Sequence, residues 1–491
     1  MIEKISFKNY RNLDGREYEF QDNMNVIIGK NGDGKTNILD GIKLAFSSFD
    51  GNYVRIDKSD FRDSNDSSPI EITVKLKNNS IPSFNLPELS GGEVCGFKVI
   101  VSKISNGRYI KRYYNYNGTD INGRIVEEDA EIPKVYKMPL LRIEDIYSPG
   151  LTTGISNFID SEEKYEEFRK QTKQGIKKQI ETSSQVFRDL CEKFEKNLDI
   201  EVSDPRMADE KLYVVDGAKE HNLRIGSGYK SIANIVLCAM GDTYNIILID
   251  EIENHLHPAL LRNLINVMKK DLKKTFVIAT THSPVTLNEF KIEKIIDAEK
   301  GNLSKLISDD DTRNKINTFL HPGRAELMLA NNIVLVEGFT EELILRDYIS
   351  KNNKNWMVVN VAGIMFLPYI KLAIALHKRV IVVSDNDKAN SKPGNKITPT
   401  TRFNNLKETC KNSNIPIVEV ENTLETDLYN SNIISSDDFE RLLKKHPKHD
   451  NFMIAKSSRR KMEIAQKIIE SGIDLSGWHV IKEIENEFKG N

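Results

Sequence analysis

The sequence predicts an α/β protein of two domains, each built on a mostly parallel sheet. Its 491 residues are too many for one hydrophobic core. Near residue 30 an apolar strand runs into a glycine-rich loop and a helix, and the last third repeats a strand–glycine–helix pattern. We expect the first domain in three parts, at 1–155, 156–215 (a helical insert) and 216–325, and the second domain at 326–491.

Composition and charge describe a soluble globular chain. Hydrophobic residues make up 39%, and 70 basic against 72 acidic side chains leave a net charge of −2. Nucleic-acid binding through a global positive field is therefore excluded, and local patches or metal ions would have to provide it. The four cysteines form no CxxC pair, which argues against a zinc knuckle and fits a reducing compartment. With no signal peptide and no apolar run long enough for a bilayer, we expect a cytoplasmic protein away from membranes.

The strongest motif is a P-loop, G-x4-G-K-T, at residues 29–36. An apolar strand, MNVIIG, precedes it, and a helix with Ile38 and Ile42 on one face follows. Glycines let backbone N–H groups point at phosphate oxygens, and the helix N-terminus adds positive charge. We expect Lys35 to contact the β- and γ-phosphates of ATP and Thr36 to ligate Mg²⁺. The predicted ATP-binding residues of this segment are Gly29, Asn31, Gly32, Gly34, Lys35, Thr36 and Asn37.

A second apolar strand ends in two acids, as a P-loop ATPase requires. Residues 246–249 are followed by Asp250, placed to hold Mg²⁺, and by Glu251, which can orient and deprotonate the attacking water. The next strand, TFVIAT, leads to His282, and open α/β sheets bind ligands at such strand ends. In ABC-like ATPases a histidine at this place contacts the γ-phosphate. His282 therefore joins the expected ATP site.

Two segments compete for the signature loop of an ABC-like ATPase. Leu89–Glu93, within ELSGGEV, has the composition but stands between strand patterns, which favours a hairpin turn. Gly226–Gly228 opens an apolar helix directly before the YNIILIDE strand and is the favoured candidate. Ser227 and the helix N-terminus would hold the γ-phosphate of a nucleotide bound to another subunit. We therefore expect a head-to-tail homodimer, or a larger homo-oligomer, with ATP at the interface.

The helical insert has two interpretations. Residues 161–198 are charged and helix-prone, with apolar residues at irregular helical spacing. They form either a helical hairpin used for dimerisation or a solvated helical face. The sequence leaves both open.

The last third places carboxylates at the ends of successive strands. NIVLVEGFTEELILRDYI reads as strand, Glu-Gly and helix, and WMVVNVAG, KRVIVVSDND and IPIVEV supply further strands. Such alternation implies a parallel sheet with the acids at its C-terminal edge. Clustered carboxylates repel one another, so they call for divalent cations, and two Mg²⁺ or Mn²⁺ ions would promote phosphodiester cleavage. The candidate ligands are Glu337, Glu341, Asp385, Asp387, Glu425 and Asp427.

The ordered set V-E-G-x-x-E, glycine and D-x-D resembles the Toprim domain of topoisomerases, primases and some nucleases. The P-loop half resembles ABC/RecF-like ATPases. Over nearly its whole length the chain is therefore similar to the OLD (overcoming lysogenization defect) family, which includes the nuclease subunit of Gabija anti-phage systems. In this resemblance ISFKNYRNL is the first strand, and Arg11 and Asn12 lie near the nucleotide.

The resemblance implies a metal-dependent DNA endonuclease or nickase in anti-phage defence, in which ATP binding regulates cleavage. The acids named above would be the metal ligands. A basic residue near the C-terminus would support the scissile phosphate, with Lys461 favoured and Lys456 as the alternative. A helicase-like or other defence-system protein is a candidate partner.

Two other functions fit parts of the sequence. One is a RecF-like DNA-binding ATPase in repair, with a Toprim domain that does no chemistry. The other is a strand-passing DNA-remodelling enzyme, which the sequence disfavours because it has no room for a separate domain with a nucleophilic tyrosine. Cutting of a plasmid in the presence of divalent metal separates the first alternative from a nuclease.

Overall fold

The computed structural model describes residues 2–50, 56–77, 96–116, 126–127, 140–142, 185–192, 198–202, 212–216, 227–240, 246–271, 275–319, 323–363, 366–386, 401–421, 424–433 and 458–489. The chain divides into two units, Met1–Lys305 and Leu306–Asn491. The boundary expected at 325/326 falls inside the second unit, because the helices Asp310–Phe319 and Gly323–Leu329 pack against the helix Phe366–Ala375 of that unit.

The elements are numbered in chain order. The strands are β1 Ile2–Lys8, β2 Glu17–Glu19, β3 Met24–Ile28, β4 Ile70–Leu76, β5 Gly96–Lys103, β6 Tyr109–Tyr116, β7 Val126–Glu127, β8 Leu140–Arg142, β9 Leu198–Val202, β10 Leu212–Asp216, β11 Ile246–Ile249, β12 Phe276–Thr280, β13 Ile295–Asp297, β14 Gly301–Asn302, β15 Asn332–Val336, β16 Met357–Asn360, β17 Arg379–Asp385 and β18 Ile417–Val420. The helices are α1 Lys35–Asp50, α2 Ser227–Met240, α3 Pro258–Asp271, α4 Pro284–Asn288, α5 Leu303–Leu306, α6 Asp310–Phe319, α7 Gly323–Leu329, α8 Phe339–Lys351, α9 Phe366–Ala375, α10 Thr401–Asn412, α11 Leu424–Asn430, α12 Ser458–Glu470 and α13 His479–Lys489. None of the described helices is long and apolar enough to cross a membrane.

The central sheet of the first unit has the strand order β14-β13-β3-β12-β11-β8. Its neighbouring strands run parallel, apart from the β13–β14 pair. Every residue of β3, β11 and β12 is buried, as expected for parallel strands covered on both faces. The carboxyl ends of these three strands meet at one edge, which carries the P-loop and the acidic loop after β11.

A second, antiparallel sheet of order β2-β1-β4-β5-β6-β7 forms the β-rich part of the first unit. Inward and outward residues alternate along β4, and the ring of Phe46 on α1 meets Phe97 on β5 edge-on at 5.2 Å. Because β4 and β5 pair antiparallel, the ELSGGEV segment connects two antiparallel strands. The segment itself lies outside the described residues, so its assignment as a hairpin turn stays a prediction.

The segment expected to be a helical insert is not helical throughout. Residues 185–192 are helical, but β9 and β10 pair as an antiparallel ribbon within 198–216. The extended conformation fits the short runs of β-branched and aromatic residues in LDIEV and LYVVD. A role of the insert in dimerisation stays a prediction.

The second unit contains a four-stranded, wholly parallel sheet of order β16-β15-β17-β18. All four strands were expected from the sequence. Helices α8, α12 and α13 contribute to its core, in which the indole of Trp478 is fully buried. This core gathers residues between Val334 and Ile484 and gives the sheet edge that carries the acids a rigid support.

Candidate functional site

The P-loop of the first unit adopts a backbone conformation that requires glycine. Gly34 has a φ of +101°, and a Cβ at this position would lie 2.7 Å from Oδ1 of Asn12. Asn12 in turn donates from Nδ2 to the carbonyl of Gly32 at 3.0 Å, and Asn37 donates to Asn12 Oδ1 at 2.8 Å. A side chain in place of the Gly34 hydrogen would therefore displace the loop from its neighbour.

Lys35 lies folded back on the loop. Its ammonium donates to the carbonyls of Gly29 at 3.0 Å and Lys30 at 2.9 Å. Burial lowers the pKa of Lys35, and the neighbouring acids Asp33 and Asp250 oppose that shift. The ammonium is thus bonded to two backbone carbonyls of its own loop, which it can exchange for the phosphate oxygens of a nucleotide.

The structure brings Thr36 and Asp250 together across 214 positions of sequence. The Thr36 hydroxyl donates to Asp250 Oδ2 at 2.9 Å, and the hydroxyl of Thr280 donates to Asp250 Oδ1. One hydroxyl and one carboxylate at the end of a P-loop are the pair that holds Mg²⁺ in such ATPases. The arrangement fits the predicted magnesium ligands.

Glu251 follows in a strained backbone conformation, with a φ of +50°. Its N–H donates to Thr280 Oγ1 at 2.7 Å, and its carboxylate accepts from Nδ2 of Asn254 at 2.9 Å. The side chain is exposed at the sheet edge. The turn therefore presents a carboxylate beside Asp250, where an acid that orients water is needed.

A third acid, which sequence reasoning missed, joins the two strand ends. Glu253 accepts from the N–H of His282 and from the hydroxyl of Thr281, each at 2.6 Å. These bonds fix the loop that carries His282 against the loop that carries Glu251. The spacing of Glu253 three residues after Asp250 was the available signal, since an acid there falls within the same turn.

Arg11 closes the other side of the P-loop. It has a φ of +42°, and its guanidinium binds Asn37 at 2.7 Å, Asp40 at 2.6 Å and Asp60 at 2.9 Å. A cleft of about 520 Å³ opens next to it. The cleft is lined by Arg11, Asn12, Asp14, Arg16, Ser59, Phe61, Arg62, Asp63 and Ser64. The structure thus places the predicted Arg11 and Asn12 at the P-loop and beside open space.

The favoured signature segment packs against the acidic loop of the same chain. Helix α2 begins at Ser227, and a Cβ on Gly228 would lie 2.4 Å from the carbonyl oxygen of His255. Gly226 and the Ser227 side chain lie outside the described residues. A contact of the segment with nucleotide stays a prediction.

In the second unit, three of the predicted acids lie at one sheet edge, two at the carboxyl ends of adjacent parallel strands and one on the helix that follows. Glu337 follows β15, and Asp385, which is buried, ends β17. The register pairs Val336 with Val383, and the Ser384 hydroxyl donates to Glu337 Oε2 at 3.3 Å. Glu341 is buried on the first turn of α8, with Oε2 3.2 Å from where a Cβ on Gly338 would lie. The acids of V-E-G-x-x-E and the first acid of D-x-D therefore share one sheet edge.

An arginine that the sequence did not single out binds the first of these acids. Arg402, on the first turn of α10, donates from Nη2 to Glu337 Oε2 and from Nη1 to the carbonyl of Gly363, each at 2.8 Å. The loop after β15 and the turn after β16 are thereby tied to α10. The guanidinium neutralises part of the negative charge at the edge.

The remaining predicted ligands are only partly described. Asp387 and Lys456 lie outside the described residues, as do the side chains of Glu425 on α11 and Lys461 on α12. Among the described side chains, no group of three acids, histidines or cysteines could hold a metal ion. A complete metal site would thus need contributions from Asp387 and Glu425, and stays a prediction.

Asp427 does not fit its predicted role as a metal ligand. It is buried, and Oδ2 accepts from the indole Nε1 of Trp478 at 2.5 Å and lies 2.8 Å from His479 Nε2. Oδ1 accepts from the N–H of Glu421 at 3.1 Å. Oδ2 thus anchors the start of α13, which lies 51 residues later in the chain, and Oδ1 holds the backbone that follows β18. We correct the prediction to a structural role.

Comparison with known proteins agrees with this architecture. Residues 24–288, more than half of the chain, match a family model described as "AAA domain, putative AbiEii toxin, Type IV TA system". Residues 328–387 match the Toprim domain of overcoming lysogenization defect protein-like proteins.

Individual relatives match over shorter segments. RecF, the DNA replication and repair protein, is 38% identical over 81 residues in Oceanobacillus iheyensis, and these residues are 16% of this chain and 22% of that relative. RecF of Bacillus subtilis is 36% identical over 81 residues, with the same coverage. The chain thus spans about a fifth of the length of these relatives.

Among solved structures, an Smc head bound to the C-winged helix domain of ScpA matches at 18% identity with a TM-score of 0.45, covering 60% of this chain and 94% of that one. The SMC head domain of Thermotoga maritima matches at 16% identity with a TM-score of 0.35 and the same coverage. The family models show that the chain belongs to the AAA domain family matched by residues 24–288. With its OLD-like Toprim domain, it is an OLD-family protein that joins a nucleotide-binding ATPase domain to a Toprim domain.

Proposed function

We propose that this protein is a divalent-metal-dependent DNA endonuclease or nickase, regulated by ATP and acting in cytoplasmic anti-phage defence. The observation that carries the proposal is the position of Glu337 and Asp385 at the ends of adjacent parallel strands, with Glu341 on the helix that follows. Sheet edges of this kind are where α/β proteins bind ligands.

The donor set fits a hard divalent cation. Glu341 and Asp385 are buried and Glu337 is half-buried. Carboxylates gathered in this way need compensating positive charge, and their oxygen atoms suit Mg²⁺ and Mn²⁺. We propose that these three acids hold the metal together with Asp387 and Glu425. When bound, the ions would supply positive charge at the scissile phosphate and lower the pKa of a coordinated water.

The residues of the chain perform the remaining tasks. Ser384 and the backbone of β15 and β17 orient Glu337 and Asp385 at fixed depth on the sheet edge. We propose that Lys461 on α12, or Lys456 before it, contacts the phosphate that is cut. A point charge of this kind stabilises negative charge that develops during phosphodiester cleavage.

The first unit would act as the regulator. We propose that ATP draws the Lys35 ammonium from the carbonyls of Gly29 and Lys30 onto its β- and γ-phosphates, while Thr36 and Asp250 hold Mg²⁺. Glu251 and His282 stand at the same edge, where they can orient water and sense the γ-phosphate. A second copy of the chain would close over this site with Ser227, so the active form is a homodimer or larger homo-oligomer.

DNA as the substrate has support from both halves. The RecF relatives are DNA replication and repair proteins, and the Toprim match adds a domain type shared with enzymes that act on DNA. A helicase-like or other defence-system protein is the expected further partner.

The test uses supercoiled plasmid with Mg²⁺ or Mn²⁺, with and without ATP. We expect metal-dependent nicking or linearisation, and we expect Asp385→Asn to reduce the rate at least about 10-fold, because it removes one ligand charge without changing side-chain volume. Asp311→Asn is the matched control, since Asp311 is exposed on α6 and pairs with Lys315. Equal cutting by Asp385→Asn and wild type would show that the acids do not catalyse.

A RecF-like DNA-binding ATPase with a Toprim domain that does no chemistry is the second candidate. The ion pair between Arg402 and Glu337 favours it, because a guanidinium can neutralise the edge without any metal. DNA binding that depends on ATP, with no cutting under any metal or nucleotide condition, would support this candidate against the first.

A further inference from the structure

Arg402 binds the carboxylate of Glu337, which is one of the proposed metal ligands. Its guanidinium reaches two strand ends at once, with Nη2 on Glu337 Oε2 and Nη1 on the Gly363 carbonyl, each at 2.8 Å. Glu337 Oε2 also accepts from Ser384, the residue before Asp385. The oxygen that Arg402 holds is thus the one that faces the strand carrying the next acid.

The contact is weak enough for a metal ion to replace it. The side chains of Arg402 and Glu337 are 37% and 24% exposed, so water screens their attraction. Ion pairs with this exposure contribute little to stability. A divalent ion carries twice the charge of a guanidinium and has a smaller radius. An ion that other ligands also bind would therefore displace the guanidinium from the carboxylate.

We propose that Arg402 is an internal cation that competes with the divalent metal for Glu337, and that metal binding transfers its guanidinium to a phosphate of the DNA. The proposal rests on the proposed function, since it takes Glu337 as a metal ligand. Once an ion sits on Glu337, the guanidinium is repelled from that oxygen but remains at the same edge, tethered by α10. Its planar fork of N–H donors matches two phosphate oxygens.

The exchange has two consequences of opposite sign. Loss of the Arg402 charge removes a competitor and should tighten metal binding. The same loss removes a phosphate contact and should weaken DNA binding once metal is present. A merely structural arginine would not give this combination, because its removal would loosen the edge and weaken both metal binding and DNA binding.

The experiment measures Mn²⁺ binding to the full chain without nucleotide, by electron paramagnetic resonance of the free ion. The part of the binding that Asp385→Asn removes is assigned to the Toprim edge. We expect Arg402→Ala to tighten that part about 2- to 5-fold, and Arg402→Lys, which keeps the charge without the fork, to change it less. Lys411→Ala is the control, because it removes one exposed positive charge from the same helix.

DNA binding is measured with a labelled duplex in Ca²⁺, across a range of salt concentrations. We expect Arg402→Ala to weaken binding and to reduce the salt slope by about one, and Lys411→Ala to leave both at the wild-type values. Melting followed by fluorescence of Trp356 and Trp478, both in the second unit, checks that each variant is folded. Should Arg402→Ala fail to fold, Arg402→Gln, which keeps donors without charge, takes its place.

The three measurements test the competition, the transfer to phosphate and the metal site separately. Equal or weaker Mn²⁺ binding by Arg402→Ala overturns the competition and leaves the metal site standing. Unchanged DNA affinity and salt slope overturn the transfer to phosphate. Absence of Mn²⁺ binding that depends on Asp385 overturns the metal site itself, and with it both this inference and the proposed nuclease.

Discussion

Glu253 shows how much one side chain can contribute at the ATP site. Its two oxygens receive the N–H of His282 and the hydroxyl of Thr281, both at 2.6 Å. Bonds to a charged acceptor are stronger than bonds between neutral groups. The carboxylate therefore keeps His282 at a fixed distance from Glu251, which is a positioning role and not a contact with nucleotide.

We predict that Glu253→Ala lowers the kcat of ATP hydrolysis about 10-fold or more, with a smaller change in the affinity for ATP. The reason is that His282 loses its anchor, whereas the P-loop that binds the phosphates is untouched. Glu253→Gln, which still accepts from the His282 N–H, should retain more activity. Steady-state kinetics with ATP measure both, and Glu299→Ala, which removes an exposed acid of the same unit, is the control. An unchanged kcat in Glu253→Ala would contradict the positioning role.

At the residue scale, the motifs predicted the contacts between side chains that the sheet topology makes adjacent. Contacts that depend on tertiary packing were not predicted. Thr36 and Asp250 meet because a P-loop and its acidic strand end are adjacent in any such sheet. Arg402 was not predicted on Glu337, since nothing in the sequence links positions 65 apart. Asp427 follows a strand as a metal ligand would, yet its carboxylate is hydrogen-bonded by Trp478 and His479 from another part of the chain.

At the scale of elements, helix α2 and the loop after β11 act as one body. The backbone of α2 approaches the His255 carbonyl so closely that position 228 has no room for a side chain. His255 itself has a φ of +63°, a backbone conformation that is uncommon for a residue other than glycine. The candidate signature helix is thus coupled to the loop that carries Glu251.

We predict that Gly228→Ala lowers the free energy of unfolding of the first unit by about 1–3 kcal/mol and reduces ATP hydrolysis. A methyl group 2.4 Å from a carbonyl oxygen forces the helix or the loop to move. Chemical denaturation followed by circular dichroism measures the stability. Gly477→Ala is the control, since its methyl group would lie 3.3 Å from the flexible Ile433 side chain. Equal stability of Gly228→Ala and wild type would show that the helix and the loop move apart at no cost.

Elements with a clear period were predictable, and those without one were not. The strand before the P-loop, helix α1 and all four strands of the second sheet follow apolar patterns of the expected length. Strands β9 and β10 are five residues each and stand next to a long charged segment, which masked their short alternation. Their pairing depends on a partner strand, which local sequence does not reveal.

The whole molecule consists of two units with separate hydrophobic cores. One core gathers residues between Ile2 and Ala298, and the other gathers residues between Val334 and Ile484. The sequence predicted two domains but set the boundary at 325/326 and not after Lys305. Helix α6 carries few apolar residues and α7 spans only seven residues, so their packing on α9 is what assigns them to the second unit.

Separate cores predict separate responses to nucleotide. Both tryptophans, Trp356 and Trp478, belong to the second unit, so their fluorescence reports its unfolding, whereas circular dichroism reports both units. In the wild type, ATP with Mg²⁺ at about 100 times its Kd should stabilise the first unit by about 2.7 kcal/mol and leave the tryptophan transition in place. Lys35→Ala should abolish ATP binding and this shift, yet keep the wild-type tryptophan transition, because the Lys35 ammonium bonds to the carbonyls of its own loop and not to the core. A tryptophan transition that moves with ATP, or that drops in Lys35→Ala, would mean that the two units unfold as one.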